Sequence, residues 1–394
     1  MIRVATGFSE NPSLEKATVE ATAQALEGAG ITKADLLILF ASAKNSNKWP
    51  SAVKKARFLA GARDVVGGSA YGVLTEKGEI EQRPGAAVMA LKGVKGNYES
   101  FLIPHLQENG FQAGISLAEA LKEKEADPSL LALFPDAFSF QHGPFFDGFE
   151  SSGGFVPLVG GLASEQGGEG KTFQWGRDAV SFDSVSGLAF GRHLEFEVGI
   201  TQSCQPLGEP LRITRSRGNM IFEIEGRPAY DIFLEFITQF RFEDTREVFH
   251  RLFLGLPLTS FQTEFNRSRY LVRNIMGVNA RKGVLACASQ VEEGDYFTFA
   301  LRDPLKAKQD LVLMLDDVRE RTEGRKPLFG FYFNCCARGQ SLYGVTGEDT
   351  SLIREYFPRL PLLGFFTFGE IAPVEYVNHL HHYSGVFAVA LEKS

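Results

Sequence analysis

The residue types best suited to binding a charged ligand lie near the C-terminus. Glu370 follows Gly369 after an apolar run at residues 360–368, and Arg338 with Gly339 follows an aromatic segment upstream. The planar fork of an arginine suits a carboxylate, and a glutamate suits an amino group, so the two side chains would complement a zwitterion across one cavity. They could equally pair with each other and contribute only to structure.

Cys335 and His381 are the other reactive groups in these segments. With Glu370 they include the residue types of a nucleophile, a base and an orienting acid, so a thiol-dependent hydrolase is one alternative. A cysteine inside an aromatic strand is more often an inert buried thiol, and the sequence contains no nucleophile elbow or phosphate-binding loop. We therefore expect no catalytic residues, and we count Cys335 and His381 among the ligand-binding candidates.

The histidines leave the identity of any cofactor open. His379, His381 and His382 form a cluster, but no cysteine or carboxylate lies near them at zinc spacing, so we expect no structural zinc. Haem needs only one axial imidazole and an apolar pocket, so haem stays open as a cofactor. The other imidazoles available to it are those of His105, His142, His193 and His250.

The candidate residues follow strands in an order that occurs three times. The first copy is predicted as strand 35–43, helix 50–60, and strands 65–69 and 86–91. The second has strands at 137–140, 156–163 and 186–190. The third has strand 329–333, helix 348–357, and strands 362–366 and 386–391. This order predicts an α/β fold of mixed sheets flanked by helices, with an internally repeated β-α-β-β unit.

The region between the second and third copies has a different pattern. Residues 211–215 and 220–225 alternate around a glycine turn, as the strands of an antiparallel hairpin do. Two helices follow, at 229–240 and 244–254. We therefore place a boundary near Glu225, which predicts two domains over residues 1–225 and 226–394.

The chain contains 35 phenylalanines. Most must be core residues, because two domains of this size need the apolar area. The aromatic segment 145–149 is surrounded by glycine and proline, which predicts a loop. If exposed, that loop would be a partner surface or the lid of a pocket.

Composition limits the functional classes. A chain of 394 residues exceeds what one core usually fills. A net charge of -7 gives no electrostatic reason to expect nucleic acid or an anionic membrane as a partner. The first residues contain no apolar stretch of signal-peptide length, and no window approaches 18 continuous apolar residues. The four cysteines lack zinc spacing, which indicates free thiols. We expect a cytoplasmic protein.

Five segments, taken in order, resemble the FIST family. They are residues 225–229, 271–275, 335–339, 361–370 and 380–382. The family has paired N-terminal and C-terminal domains and occurs in bacterial signalling proteins and in a eukaryotic F-box protein. The resemblance implies a sensory role in signal transduction, with small ligands such as amino acids. It also implies an alternative, because some members resemble haem-binding nitric-oxide sensors that act on histidine kinases.

The chain departs from the family pattern at two places. Ala337 stands where glycine is more usual, and Tyr383 with Ser384 stands where the motif favours a threonine. The expected protein is a sensor that binds a small ligand and signals through a separate protein, such as a histidine kinase. We expect neither a nucleic acid nor a membrane as its partner.

Overall fold

The computed structural model describes residues 2–44, 47–176, 179–240, 242, 245–259, 265 and 269–393. The chain divides into two compact units. Unit 1 comprises Met1–Ile200, Val312–Leu380 and Ser384–Ser394, and unit 2 comprises Thr201–Leu311 and His381–Tyr383. The domain boundary predicted near Glu225 divides the sequence, not these compact units, and it stays a prediction.

Unit 1 is built from three repeats of one arrangement. Repeat 1 consists of β1 (Arg3–Ser9), α1 (Leu14–Ala29), β2 (Leu36–Ser42), α2 (Trp49–Ala60), β3 (Asp64–Ser69), β4 (Gly72–Thr75), β5 (Gly78–Glu81) and β6 (Gly85–Lys92). Repeat 2 consists of β7 (Tyr98–Pro104), α3 (Gly110–Glu123), β8 (Pro128–Pro135), α4 (His142–Gly153), β9 (Leu158–Gly161), β10 (Gln174–Gly176), β11 (Ala179–Ser181) and β12 (Ser184–Gly191).

Repeat 3 is interrupted by a long insertion after its first strand, β13 (Leu194–Gln202). The insertion contains β14 (Cys204–Arg217), β15 (Met220–Ile224), β16 (Arg227–Pro228), α5 (Ala229–Phe240), α6 (Thr245–Arg251), β17 (Leu252–Pro257), β18 (Tyr270–Asn279), β19 (Val284–Cys287) and β20 (Tyr296–Arg302). Repeat 3 resumes with α7 (Pro304–Arg321), β21 (Pro327–Cys335), α8 (Gln340–Tyr343), α9 (Glu348–Tyr356), β22 (Leu362–Thr367), β23 (Glu370–Val374), β24 (Val377–His381) and β25 (Ser384–Glu392).

The three repeats share one strand order. It is β1-β6-β2-β3 in repeat 1, β7-β12-β8-β9 in repeat 2 and β13-β25-β21-β22 in repeat 3. Counted along the chain, the second and third strands of each repeat are parallel neighbours: β2 with β3, β8 with β9, and β21 with β22. The last strand of each repeat pairs antiparallel with the second. The predicted α/β fold with an internally repeated β-α-β-β unit is therefore confirmed. The observed repeat is larger, because each copy also has a leading strand and helix.

The hairpins between the third and last strands are exchanged among the repeats. Repeat 2 contributes β10 and β11, which extend the sheet of repeat 1 beyond β3. The hairpin that starts with β23, from repeat 3, extends the sheet of repeat 2 beyond β9. The hairpin of β4 and β5, from repeat 1, extends the sheet of repeat 3 beyond β22. Each repeat thus depends on another to cover the edge of its third strand.

One glycine recurs at the same register position in each repeat. Gly67, Gly160 and Gly364 lie opposite Leu39, Leu133 and Tyr332 on the neighbouring parallel strand. A Cβ atom on any of them would lie 1.8 to 2.0 Å from the carbonyl oxygen of its partner. Close backbone approach therefore explains these glycines as part of the repeat architecture.

The inner faces of the three sheets meet in one hydrophobic core. At its centre lie the equivalent residues Phe40, Phe134 and Phe333; the ring centroids of the first two are 4.9 Å apart, and those of the last two are 5.9 Å apart. On the outer faces, α1 and α2 pack on the first sheet and α3 and α4 on the second. Met314 and Val318 of α7 lie over Gly199 on the third sheet.

Two predictions in repeat 2 are wrong. The strand predicted at 137–140 lies earlier, as β8, and the segment predicted as a loop at 145–149 belongs to helix α4. Its phenylalanines are buried against α3. Gly148 and Gly114 allow this contact, because a Cβ on either would lie about 2 Å from a carbonyl oxygen of the facing helix. The glycines therefore indicate close helix packing rather than a loop.

Unit 2 contains a sheet of order β14-β20-β17-β18-β19-β15-β16. The predicted hairpin is confirmed as the pairing of β14 with β15, and helix α5 has the predicted bounds. The second predicted helix is shorter, because the chain turns into strand β17 at Leu252. Its predicted first residue, Asp244, lies outside the described residues. In the described part of the chain, no helix is both long enough and apolar enough to span a membrane.

The equivalent glycines give a test of the fold. Gly364→Ala should lower the free energy of unfolding by about 3 kcal/mol or more, because the added methyl overlaps a backbone carbonyl that cannot move without breaking the sheet. Urea denaturation measures the change. Gly143→Ala in helix α4, which meets no atom within 4 Å, is the matched control. Equal stability of both variants would contradict the close approach of β21 and β22.

Candidate ligand site

A polar layer follows the phenylalanine core at the carboxyl ends of β2, β8 and β21. Strand side chains alternate, so Ser42, Asp136 and Cys335 are the next inward residues after the three central phenylalanines. Each lies beside the first residues of the last strand of its repeat. We define the polar layer as Ser42, Asp136, Thr172, Gln174, Ser184, Cys335, Thr367, Glu370 and Ser384, all of which are buried.

Glu370 is the most unusual member of the polar layer. Its side chain is 0% exposed. Ser384 donates to one carboxylate oxygen from its Oγ at 2.6 Å and from its backbone N–H at 3.2 Å, and the Thr367 hydroxyl and the Cys335 thiol donate as well. Burial nevertheless raises the pKa of Glu370 to about 7. The carboxyl is therefore part ionised and part protonated at neutral pH.

Gln174 is the counterpart of Glu370 in repeat 2. Glu370 pairs with Gly161 and Gln174 pairs with Gly68, so both residues begin an exchanged hairpin at the same register. The Ser184 Oγ donates to Gln174 Oε1 at 3.0 Å, as Ser384 donates to Glu370. In repeat 1 the same register position is Val73. Only repeat 3 places an ionisable group there.

Tyr71, Gln166 and Cys336 are partly exposed side chains that border the polar layer. The Gln166 Nε2 donates to the Ser42 Oγ, and the backbone N–H of Tyr71 donates to the Ser164 Oγ at 2.7 Å. Burial, with the nearby Cys335 and Glu370, raises the pKa of the Cys336 thiol. This thiol is thus protonated at neutral pH, which does not favour a nucleophilic role.

Arg338 is held in an ion pair that the sequence analysis missed. Its Nε donates to Asp349 Oδ2 at 2.9 Å, and its Nη2 donates to Asp349 Oδ1 at 3.0 Å and to the Tyr343 hydroxyl at 2.8 Å. The two charged side chains are 0% and 1% exposed. Burial opposes ionisation of Asp349, yet the Arg338 guanidinium holds the pKa of that carboxyl below its usual value. The guanidinium fork is therefore already occupied by a carboxylate.

Gly339 and Gly369 have structural partners. Gly339 has a φ of 56° and starts helix α8. A Cβ there would lie 2.6 Å from the Glu81 carboxylate, which accepts a hydrogen bond from the backbone N–H of Gln340 at 3.0 Å. The carbonyl of Gly369 accepts from the N–H of Leu162 at 2.8 Å. Both glycines thereby help to dock the exchanged hairpins.

The structure brings together only part of the predicted set. Cys335 and Glu370 share a hydrogen bond, and Gly369 directly precedes Glu370. Arg338 and Gly339 belong to the separate Asp349 cluster. His381 is fully buried and belongs to unit 2. One sequence feature could have identified Asp349 as a candidate: it is an acidic residue in the first turn of a predicted helix, a position that favours negative charge.

Most of the histidines lack the apolar surroundings of a haem ligand. His105, His142, His193 and His250 are exposed, so their imidazoles do not lie in an apolar pocket. His379 and His382 are half-buried. Among the described residues no group of three or more histidine, cysteine or acidic side chains could hold a metal ion. Haem binding stays a prediction from the sequence.

Three cavities lie away from the polar layer. One of about 670 Å³ lies between the end of α7 and Phe357, and one of about 130 Å³ lies beside β7. In unit 2, a cavity of about 660 Å³ lies along α5. None of the three is lined by a residue that the sequence analysis selected.

A double-mutant cycle tests the role of Arg338. Arg338→Met alone should destabilise the protein by about 3 to 5 kcal/mol, because Asp349 stays buried without its counter-charge. Adding Asp349→Leu should recover much of the loss. Chemical denaturation measures each variant. Arg319→Met, which breaks an exposed pair with Asp316, is the control and should cost less than about 1 kcal/mol. If Arg338→Met left the free energy of unfolding unchanged, the buried ion pair would be contradicted.

The raised pKa values predict an inverted pH profile. Burial raises the pKa of Glu79, Glu81 and Glu370 from 4.5 to about 7, so the folded state binds more protons than the unfolded state between these values. Stability should therefore fall as the pH rises from about 5 to 8. Melting temperatures across this range measure the slope. Glu370→Gln should flatten it, whereas Glu108→Gln, at an exposed residue, should leave it unchanged.

Proteins similar to this chain include mycobacterial relatives. An uncharacterized protein of Mycobacterium tuberculosis is 27% identical over 394 residues, which cover 99% of this chain and 100% of the relative. An uncharacterized protein of Mycobacterium bovis is 24% identical over 391 residues, covering 99% of each chain. Among solved structures, a cyanuric acid hydrolase aligns with 8% identity and a TM-score of 0.32 over 100% of both chains. A chorismatase aligns with 9% identity and a TM-score of 0.33 over 99% of each.

Two domain families match consecutive parts of the sequence. The FIST N domain matches residues 35–227, and the FIST C domain matches residues 229–373. FIST domains are recognised as sensory domains of signal transduction. Because the two matches cover most of the chain in the family's order, this protein belongs to the FIST family.

Proposed function

We propose that this FIST protein senses a small molecule that carries a protonated amino group, a class that includes amino acids. The ligand binds at the polar layer, where Glu370 is its counter-charge, and occupancy is passed to a separate signalling protein. Cys335 and Ser384 hold the carboxylate in place for the ligand. The recognition of FIST domains as sensory domains supports the general role.

The observation that carries this proposal is the buried carboxyl of Glu370. Hydroxyl, thiol and backbone N–H groups donate to it, yet burial still raises its pKa to about 7. The equivalent residues Val73 and Gln174 show that the fold accepts an apolar or amide side chain at this position. A bound ammonium group would offset the cost of ionising Glu370, so the ligand and the ionised carboxylate stabilise each other.

The neighbouring groups favour binding over catalysis. The Cys335 thiol donates its hydrogen to Glu370, so it is protonated in the arrangement seen here. A nucleophilic cysteine would instead need a base that removes this proton. The partly exposed Tyr71, Gln166 and Cys336 give a ligand its route to the layer. Since Asp349 occupies the Arg338 fork, the proposal assigns no ligand contact to Arg338.

Strand β23 is the element that would report occupancy. It begins at Glu370 and pairs with β9 of repeat 2. A ligand that ionises and shifts Glu370 therefore acts on a contact between two repeats. Small shifts at such contacts are a common route by which ligand binding changes a surface recognised by a partner.

Thermal-shift measurements with a panel of amino acids and simple amines test the proposal. A matching amine should raise the melting temperature by several degrees at saturation, as expected for a ligand that binds only the folded state. The deaminated analogue should have no effect. Glu370→Gln should abolish the shift, because it keeps the shape of the side chain but removes its charge. Glu79→Gln removes another buried carboxyl outside the polar layer and is the matched control.

The pH dependence adds a second criterion. Ammonium binding requires ionised Glu370, so the affinity should fall as the pH drops below about 7. Native mass spectrometry of the purified protein shows whether a ligand is retained. The proposal fails if no amine stabilises the wild type, or if Glu370→Gln responds as the wild type does.

A further inference from the structure

The outer face of repeat 3 is polar at two positions where the other repeats are apolar. Tyr332 is equivalent to Leu39 and Leu133, since each lies opposite the recurrent glycine of its repeat. Asn334, two residues further on, is equivalent to Ala41 and Pro135. At these two positions the layer between sheet and helix is thus apolar in repeats 1 and 2 and polar in repeat 3.

Within the described part of the chain, no hydrogen bond compensates for the burial of the Asn334 amide. Its side chain is 0% exposed, and neither Oδ1 nor Nδ2 has a hydrogen-bond partner among the described residues. A buried amide left unsatisfied lowers the stability of the folded state. The alanine and proline of the other repeats show that the fold does not require an amide here. The retained cost points to a partner for Asn334 other than the described residues.

The position of the amide follows from its strand partner. Asn334 pairs with Gly385, and both lie on the outer face of the sheet. The Tyr332 hydroxyl would be 2.3 Å from a Cβ atom at Gly385, so it lies over this same pair. That hydroxyl donates to Asp349 Oδ2 at 2.9 Å. The Asn334 amide therefore lies beside the Arg338–Asp349 cluster.

The helix that covers this face is interrupted only in repeat 3. Helices α2 and α4 each run for 12 residues without a break. Their counterpart is divided into α8, of four residues, and α9, of nine. The connecting residues 344–347 begin and end with glycines at φ 76° and 85°. Repeat 3 therefore has a break in the helical cover of this sheet.

We propose that Asn334 holds a small molecule with a primary amide group, bound between β21 and the α8–α9 segment. An amide presents a carbonyl acceptor beside an N–H donor, which matches the donor and acceptor that Asn334 leaves unsatisfied. The Arg338–Asp349 pair and the Tyr332 hydroxyl form the adjacent wall. Asn334 lies on the outer face of the repeat 3 sheet, whereas Glu370 faces inward from a strand of the repeat 2 sheet, so this site does not rest on the function proposed for Glu370.

Binding of primary amides to the intact chain tests the site. The probes are acetamide, L-asparagine, L-glutamine and nicotinamide, each matched with its carboxylate analogue. We expect at least one amide to raise the wild-type melting temperature by about 2 °C or more, and its carboxylate to have no effect. Asn334→Leu should remove this response. The unliganded variant should be at least as stable as the wild type, because the unsatisfied amide is gone.

Further variants separate the two sites and guard against misfolding. Asn334→Ala introduces the residue of repeat 1 and should likewise abolish the amide response if Asn334→Leu does not fold. Glu370→Gln should keep the amide response, and Asn334→Leu should keep any amine response at Glu370. The proposal is overturned if no primary amide shifts the wild type, if both Asn334 variants respond as the wild type does, or if a crystal structure shows only a water molecule on Asn334.

Discussion

Each repeat of unit 1 ends its four-stranded sheet on a strand whose outer edge no strand of that repeat covers. The backbone N–H and C=O groups of such an edge need partners, and an exposed edge invites aggregation. The hairpins of β4, β10 and β23 satisfy the edges of β22, β3 and β9 in a cycle. Because every sheet depends on a hairpin from another repeat, no repeat completes its sheet alone, and the polar layer lies where those hairpins begin.

This exchange is what allows one repeat to diverge. Backbone pairing and the recurrent glycines define the scaffold, while the residue at the equivalent register position near the start of each hairpin varies from Val73 to Gln174 to Glu370. Repeats 1 and 2 keep apolar helix–sheet layers, which add hydrophobic stabilisation to that of the core shared by all three repeats. Repeat 3 can therefore bury Glu370, Asn334 and the Arg338–Asp349 pair at a cost that the rest of the unit offsets.

The two polar positions of repeat 3 offer different chemistry: Glu370 faces inward from the repeat 2 sheet that β23 extends, and Asn334 faces outward from the repeat 3 sheet. The inward face presents a carboxyl whose ionisation is balanced near neutral pH. The outward face presents a neutral amide without a partner in the described chain. An incompletely satisfied polar group stores free energy that a matching ligand can release. Such groups suit a sensory domain, in which binding must change the stability of a contact.

The sequence by itself determined the α/β class, the repeated unit and the family, because these follow from local periodicity and from residue types. It did not reveal that Arg338 forms an ion pair with Asp349 or that Gln174 is the repeat 2 equivalent of Glu370. Nor did it reveal that the aromatic segment 145–149 is part of a buried helix. These features depend on contacts between residues far apart in the chain. They also depend on glycines, which can mark either a loop or a close contact between two backbones. Only the tertiary structure decides which side chains form hydrogen bonds and ion pairs with each other, since the sequence offers several partners of suitable charge for each.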